Sequence, residues 1–184
     1  MSKENAELLN SMGVDERLNY AEKLVFGLDG IDQDLSAGMH VIKTEANNAN
    51  SKAELLMYKI NMTKGKNVSA MNWLKRAYDQ GNGEALAMAW FEKQRGRFKW
   101  YKDKELMTSL KKAVSMDVPV ANYFMGIVAE NDNKLKEAEE YYSKAVELGF
   151  EDNYLDFTEY KEEYRKLDMV DLRGIFQRNY LPSL

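Results

Sequence analysis

AMNWLKRAYDQG, residues 70–81, and AEEYYSKAVELG, residues 138–149, follow one pattern. Each opens on an alanine, carries a large aromatic three places later (Trp73, Tyr141), a second alanine seven later (Ala77, Ala145) and a glycine eleven later (Gly81, Gly149). Small residues at fixed helical places let two helices approach closely, and large ones beside them fill the groove. The final glycine suits a left-handed helix cap, which disfavours a Cβ. Both stretches therefore read as the same helix, helix B, of a repeated unit. A weaker register continues it at Ala37 and Leu106, with Thr44 and Ala113 seven places on.

A second series lies between these helices: Ala21, Ala53, Ala85 and Ala121, at spacings of 32, 32 and 36, with Asn153 a further 32 on. Large apolar residues follow each alanine: Leu24 and Phe26, Leu56 and Tyr58, Met88 and Trp90, Phe124 and Met125. This is helix A, and Ser51-Lys52-Ala53-Glu54 reads as a capping box that starts its second copy. Helix pairs of this length cannot bury an apolar face alone, so stacking must supply one continuous core. With two prolines and abundant Ala, Leu, Met, Glu and Lys, little interrupts helices. The expected fold is all-α, a solenoid of stacked antiparallel helix pairs with capping helices.

The B pattern resembles the Sel-one-like repeat, a relative of the tetratricopeptide repeat. Ala70, Trp73, Ala77, Gly81 and Ala85 meet it, as do Ala138, Tyr141, Ala145 and Gly149, where Asn153 departs at the last place. The copy from Leu106 has Ser109 and Asp117 at the aromatic and glycine places. The resemblance covers roughly residues 15 to 165. It implies an N-terminal capping segment over 1–14 and a repeat domain over 15–166, with units near 21–52, 53–84, 85–120 and 121–152 and a partial unit over 153–166. A capping helix and tail follow over 167–184. Lys3 to Met12 and Asp168 to Asn179 are the terminal helices, and YLPSL is the tail.

QRGRFKWYK, residues 94–102, stands apart in an acidic chain. Between Lys93 and Lys104 there are six Lys or Arg against one Asp, interleaved with Phe98, Trp100 and Tyr101. Basic-plus-aromatic is the composition of a single-stranded nucleic-acid platform. The net charge of −4 becomes −9 without this segment, so any such contact has to be local. In the Sel-one-like pattern the connection from helix A to helix B runs Gly-x-Gly-Val-x-x-Asp. Gly96 fits its first place, Phe98 replaces the second Gly and Asp103 comes one place late. Three readings stay open for Arg95, Arg97, Phe98, Lys99, Trp100 and Tyr101. One is a loop with an aromatic tucked between helices and its cations solvated. The others are a protein-binding protrusion and an RNA or single-stranded DNA contact. The acidic stretch from Glu151 to Asp171, with eight Asp or Glu against three Lys or Arg, could also pair with it in a neighbouring subunit.

Candidates for chemistry are few. Asp32, Ser36 and His40, the one histidine, would line one face of a continuous helix, but a nucleophile in mid-helix lacks the sharp turn and oxyanion hole of hydrolases. Gly81-Asn82-Gly83 follows a helix where a dinucleotide fingerprint follows a strand. Adjacent carboxylates such as Glu139-Glu140 and Glu162-Glu163 diverge on a helix. With no cysteine and no calcium-loop motif, the sequence points to no cofactor, metal or enzymatic activity. Tyr58, Trp73, Trp90, Tyr141 and Tyr142 are expected in the core. No signal peptide or membrane-spanning run is present, which leads us to expect a soluble cytoplasmic chain.

The resemblance implies a concave groove lined by helix A. The groove-facing places of the tetratricopeptide helix fall on Lys52, Lys59, Glu84, Phe91, Gln94, Tyr123, Ile127 and Glu130, with Phe91, Tyr123 and Ile127 as apolar anchors and Arg95 where the groove meets the basic loop. A non-catalytic adaptor or sequestering protein that binds a partner segment is the leading expectation. The alternatives are a bacterial or phage inhibitor or immunity protein blocking one enzyme or toxin, and RNA or single-stranded DNA contact through 93–104. An apolar face at a terminal helix would also let two copies pair.

Overall fold

The structure is a computed structural model and describes residues 3–150. Within them every element is a helix: α1 (Lys3–Ser11), α2 (Val14–Phe26), α3 (Leu35–Asn47), α4 (Ser51–Thr63), α5 (Asn67–Asp79), α6 (Gly83–Gln94), α7 (Asp103–Ser115), α8 (Pro119–Asn131) and α9 (Leu135–Glu147). Each helix packs on the next, and the even-numbered ones meet again as α2 with α4 and α6 with α8. The result is the expected all-α, solenoid-like stack. Asn153, the partial unit over 153–166, the acidic stretch and the C-terminal helix and tail lie outside the described residues.

The two rows differ in burial. In α6 the eight consecutive residues Ala85 to Glu92 are buried, and so are Val120 to Ile127 of α8, whereas α7 buries only Leu106, Leu110 and Ala113. α4, α6 and α8 are thus an inner row covered on most of their surface, and helix B is an outer row with one wetted face. The core divides at α4. Its Leu55, Tyr58 and Met62 pack toward the later helices and its Ala53, Leu56, Met57 and Ile60 toward the earlier ones, while Trp73 touches both halves.

Register corrects the sequence reading in the first unit. Ala53, Ala85 and Ala121 each occupy the third place of their helix, but α2 begins seven residues ahead of Ala21. In the B row the fourth helical place is held by Gly38, Ala70, Leu106 and Ala138, so Gly38 takes the role expected of Ala37. The reason is steric: a Cβ on Gly38 would lie 2.6 Å from the Ala21 carbonyl oxygen. Thr44 is exposed, and its neighbour Glu45 turns inward to meet Arg17 of α2 at 2.8 Å. The capping box at Ser51 is not formed. Asn50 caps α4 by accepting from the Lys52 and Ala53 N–H groups, and Glu54 is buried against Arg76 at 2.7 Å and Gln80. Arg76 also stacks over Trp73 and donates to the Ala46 carbonyl, which ties α5 to α3 and α4.

The helix ends follow one rule. Each B helix is followed, after the same interval, by a left-handed residue: Ala49, Gly81, Asp117 and Gly149. Gly81 and Gly149 bear out their expected capping roles, but Ala49 holds φ 59° with a Cβ in place. Ala49→Gly is expected to raise stability by about 0.5–1 kcal/mol in urea unfolding. Gly126→Ala should lower it by about 1–3 kcal/mol, because the new Cβ would fall 2.3–2.9 Å from the Tyr142 ring.

Candidate functional site

The groove residues belong to three inner helices: Lys52 and Lys59 to α4, Glu84, Phe91 and Gln94 to α6, and Tyr123, Ile127 and Glu130 to α8. Within each helix their spacing of three, four or seven places puts them on one face. Contacts join the faces across the row. Lys59 reaches Glu84 at 3.1 Å and Glu22 at 3.4 Å, Lys52 donates to Asn19 at 2.6 Å, and Phe91 stacks parallel on Phe124 at 5.1 Å.

The apolar members are not the open anchors that the sequence suggested. Phe91, Tyr123 and Ile127 are only 3%, 1% and 7% exposed. Tyr123 lies against Phe150 with ring centroids 4.7 Å apart and beside Tyr142 at 5.7 Å. Together with Leu55 and Ala87, both buried, they make a continuous apolar floor. The rim is polar and paired. Burial opposes the charge of Lys59, but Glu84 and Glu22 outweigh it and hold its pKa above the ordinary lysine value. Glu130 accepts a hydrogen bond from the Tyr142 hydroxyl at 2.9 Å, and Gln94 is half-buried at the end of α6.

The basic loop connects α6 to α7 and is organised from within by Glu92. This carboxylate is fully buried, accepts the Tyr58 hydroxyl at 2.9 Å, and faces Arg97 at 3.6 Å and Arg95 at 4.0 Å. Its carbonyl accepts the N–H groups of Arg97 and Phe98. The cations expected to solvate the loop therefore divide. Arg95 and Arg97 turn inward, because a buried carboxylate needs compensating charge, and Lys93 donates to the Tyr101 carbonyl. Lys99, Lys102 and Lys104 stay exposed. Phe98 is fully buried and Trp100 stands 45% exposed at its edge, so Phe98 is the aromatic that tucks in. Tyr101 is half-buried beside Tyr78 at 4.7 Å and bonds Asp79. Ser109, at a place where the repeat pattern has an aromatic, meets the Tyr78 hydroxyl at 2.6 Å.

Sequence reasoning missed Glu92. No local pattern marks it, although an acidic residue directly after the apolar run ALAMAWF is a signal for a buried, compensated charge. Of the remaining candidates, Ser36 and His40 are exposed on α3, and Asp32 precedes that helix, so the three do not share one helical face. Asn82 caps α6 through the Ala85 N–H, which accounts for Gly81-Asn82-Gly83. Glu139 and Glu140 are exposed on α9, and Glu162 and Glu163 lie outside the described residues. Among the described residues no group of three His, Cys, Asp or Glu could hold a metal ion.

Burial pushes the Glu92 carboxyl above the usual glutamate range, with Tyr58, Arg95 and Arg97 pulling the other way. A raised folded-state pKa means that the folded chain binds the proton more tightly, so this group's contribution falls as pH rises from about 4.3 through the raised value. The stability of the native chain minus that of Glu92→Gln should therefore decrease over that window in urea titrations. A difference that grows with pH would show that the arginines outweigh desolvation. Phe98→Ala should cost about 3–5 kcal/mol, whereas Lys99→Ala should stay within about 0.5 kcal/mol. The sequence matches no protein-family model and no curated protein, so a functional reading rests on the groove and the loop themselves.

Proposed function

We propose that the chain is a non-catalytic protein-binding module, a helical repeat of the Sel-one-like, tetratricopeptide-related kind that receives an amphipathic segment of a partner along its inner row. The observation that carries this reading is the composition of that face. An apolar floor from Leu55, Ala87, Phe91, Tyr123 and Ile127 is bordered by Lys52, Lys59, Glu84 and Glu130. Such a surface suits anchors spaced three or four residues apart on a helix, with the ionic rim setting direction and register. An adaptor and a dedicated inhibitor would use the same face; they differ in how many partners they take and how slowly these leave.

A nucleic-acid role for loop 93–104 draws less support. Its two arginines face Glu92, and Trp100 is the exposed ring of the loop, where single-strand platforms stack successive bases on several rings. No described helix is long and apolar enough to cross a membrane, which fits an intracellular setting for this role.

The reading predicts that immobilised full chain captures a protein from nuclease-treated native lysate. Lys52→Glu with Gln94→Arg, both at the groove rim, should weaken that capture about tenfold or more, equal to about 1.4 kcal/mol. Lys99→Glu with Trp100→Ala in the loop should leave it unchanged. Capture that vanishes with nuclease, or responds only to the loop pair, would move the site to 93–104.

A further inference from the structure

We infer that the cleft between α7 and α9 binds a free aromatic amino acid. This site is separate from the inner-row groove and does not rest on it. At about 100° per residue, Met125, Val128 and Ala129 lie on the side of α8 opposite Tyr123, Ile127 and Glu130. They floor a cavity of about 480 Å³, a volume in the range of small-molecule sites. Met107, Lys111 and Val114 form its α7 wall at helical steps of four and three, and Glu137 and Tyr141 its α9 wall at a step of four. Between the preceding outer helices, α5 and α7, Tyr78 meets the Ser109 hydroxyl and the rings of Phe98 and Tyr101, which the long loop supplies. The turn 132–134, Asp-Asn-Lys, has no apolar side chain to offer the next cleft. Met107, Val114, Val128 and Tyr141 are half-buried there, beside a buried Met125.

The two walls differ in charge, and this selects the ligand. Lys111 is exposed on α7 and has no ion-pair partner among the described residues. On the other side Asp132 and Glu137 share one ammonium, that of Lys134, at 3.8 and 3.6 Å, which leaves one negative charge in excess. A ligand with a carboxylate alone meets that excess, and a ligand with an amine alone meets Lys111. A zwitterion answers both walls, its carboxylate toward Lys111 and its ammonium toward Asp132 and Glu137. The apolar body between these charges is best served by a ring, because thioethers such as those of Met107 and Met125 favour aromatic contacts and Tyr141 adds a second ring. A free amino acid carries both charges beside one ring, whereas inside a polypeptide the same groups are neutral amides.

Nuclear magnetic resonance of the full chain with methyl-labelled methionine tests this. Met107 and Met125 line the cleft, whereas Met57 and Met71 belong to α4 and α5. Met107→Leu and Met125→Leu assign the two reporter signals. The probes are L-phenylalanine, 3-phenylpropionate, which lacks the ammonium, and phenethylamine, which lacks the carboxylate. L-Phenylalanine is expected to move both reporter signals to saturation and to leave those of Met57 and Met71 in place. Each single-charge probe should bind about tenfold more weakly. Lys111→Gln should weaken L-phenylalanine by about the same factor without weakening phenethylamine, and Glu137→Gln should weaken L-phenylalanine without weakening 3-phenylpropionate. No displacement of either reporter by L-phenylalanine at its solubility limit would overturn the inference. So would equal affinity for the three probes, or displacement centred on Met57 or Met71.

Discussion

A carboxylate with no exposure to water constrains the middle of this molecule. Glu92 follows directly on the apolar run Ala85–Phe91 of α6, and removing its charge from solvent carries a desolvation cost that only close partners offset. Tyr58 supplies a hydrogen bond from the preceding inner helix, and Arg95 and Arg97 supply charge from the loop that follows. One side chain thus ties α4, α6 and the α6–α7 connection together. Because the Glu92 carbonyl also accepts the N–H groups of Arg97 and Phe98, the same residue fixes the turn that drives Phe98 into the core. Arg95, Arg97 and Phe98 of the loop thus answer a buried requirement, while its lysines stay exposed.

The two long connections show one geometric task met by different chemistry. Residues 27–34 and 95–102 both join an inner helix to its outer partner over the same length, while 64–66 and 132–134 do so in short turns. In the first long loop, Gln33 donates to the Val25 carbonyl and the Asp34 N–H to that of Leu24. In the second, arginine charge and an aromatic plug hold the chain against the same part of its helix. A sequence pattern that looks for one residue at one loop position finds neither, because what recurs is the return of the loop onto the helix end.

Legibility followed the same division. The B helices were readable because close packing and left-handed caps each admit few residues: Ala70, Ala77, Gly81, Ala138, Ala145 and Gly149 are all small where the backbone requires it. The first unit was misread because an inward Glu45 paired with Arg17 occupies a place that alanines hold elsewhere, and because α2 starts well ahead of Ala21. Gly126 escaped notice since its role, admitting the Tyr142 ring, depends on a residue in the next helix. Glu54 looked like a local cap and proved to be a long-range partner of Arg76. The groove places carried over from the repeat resemblance fall on α4, α6 and α8, but such a pattern does not tell an open anchor from a covered side chain.

That last distinction bears on what kind of ligand the inner face can hold. Phe91, Tyr123 and Ile127 already exclude water, Phe91 against Phe124 and Tyr123 against Phe150 and Tyr142, so a ligand on this face would chiefly meet the half-buried rim. The rim opposes indiscriminate covering. Lys59 already balances two carboxylates and Glu130 already accepts from Tyr142, so a ligand that buries these groups without matching their hydrogen bonds meets a desolvation cost. On the proposed reading, selectivity would therefore come from the rim. A ligand fits when its apolar stripe is flanked by groups that leave the existing ion pairs intact, which is a requirement on sequence and not merely on hydrophobicity.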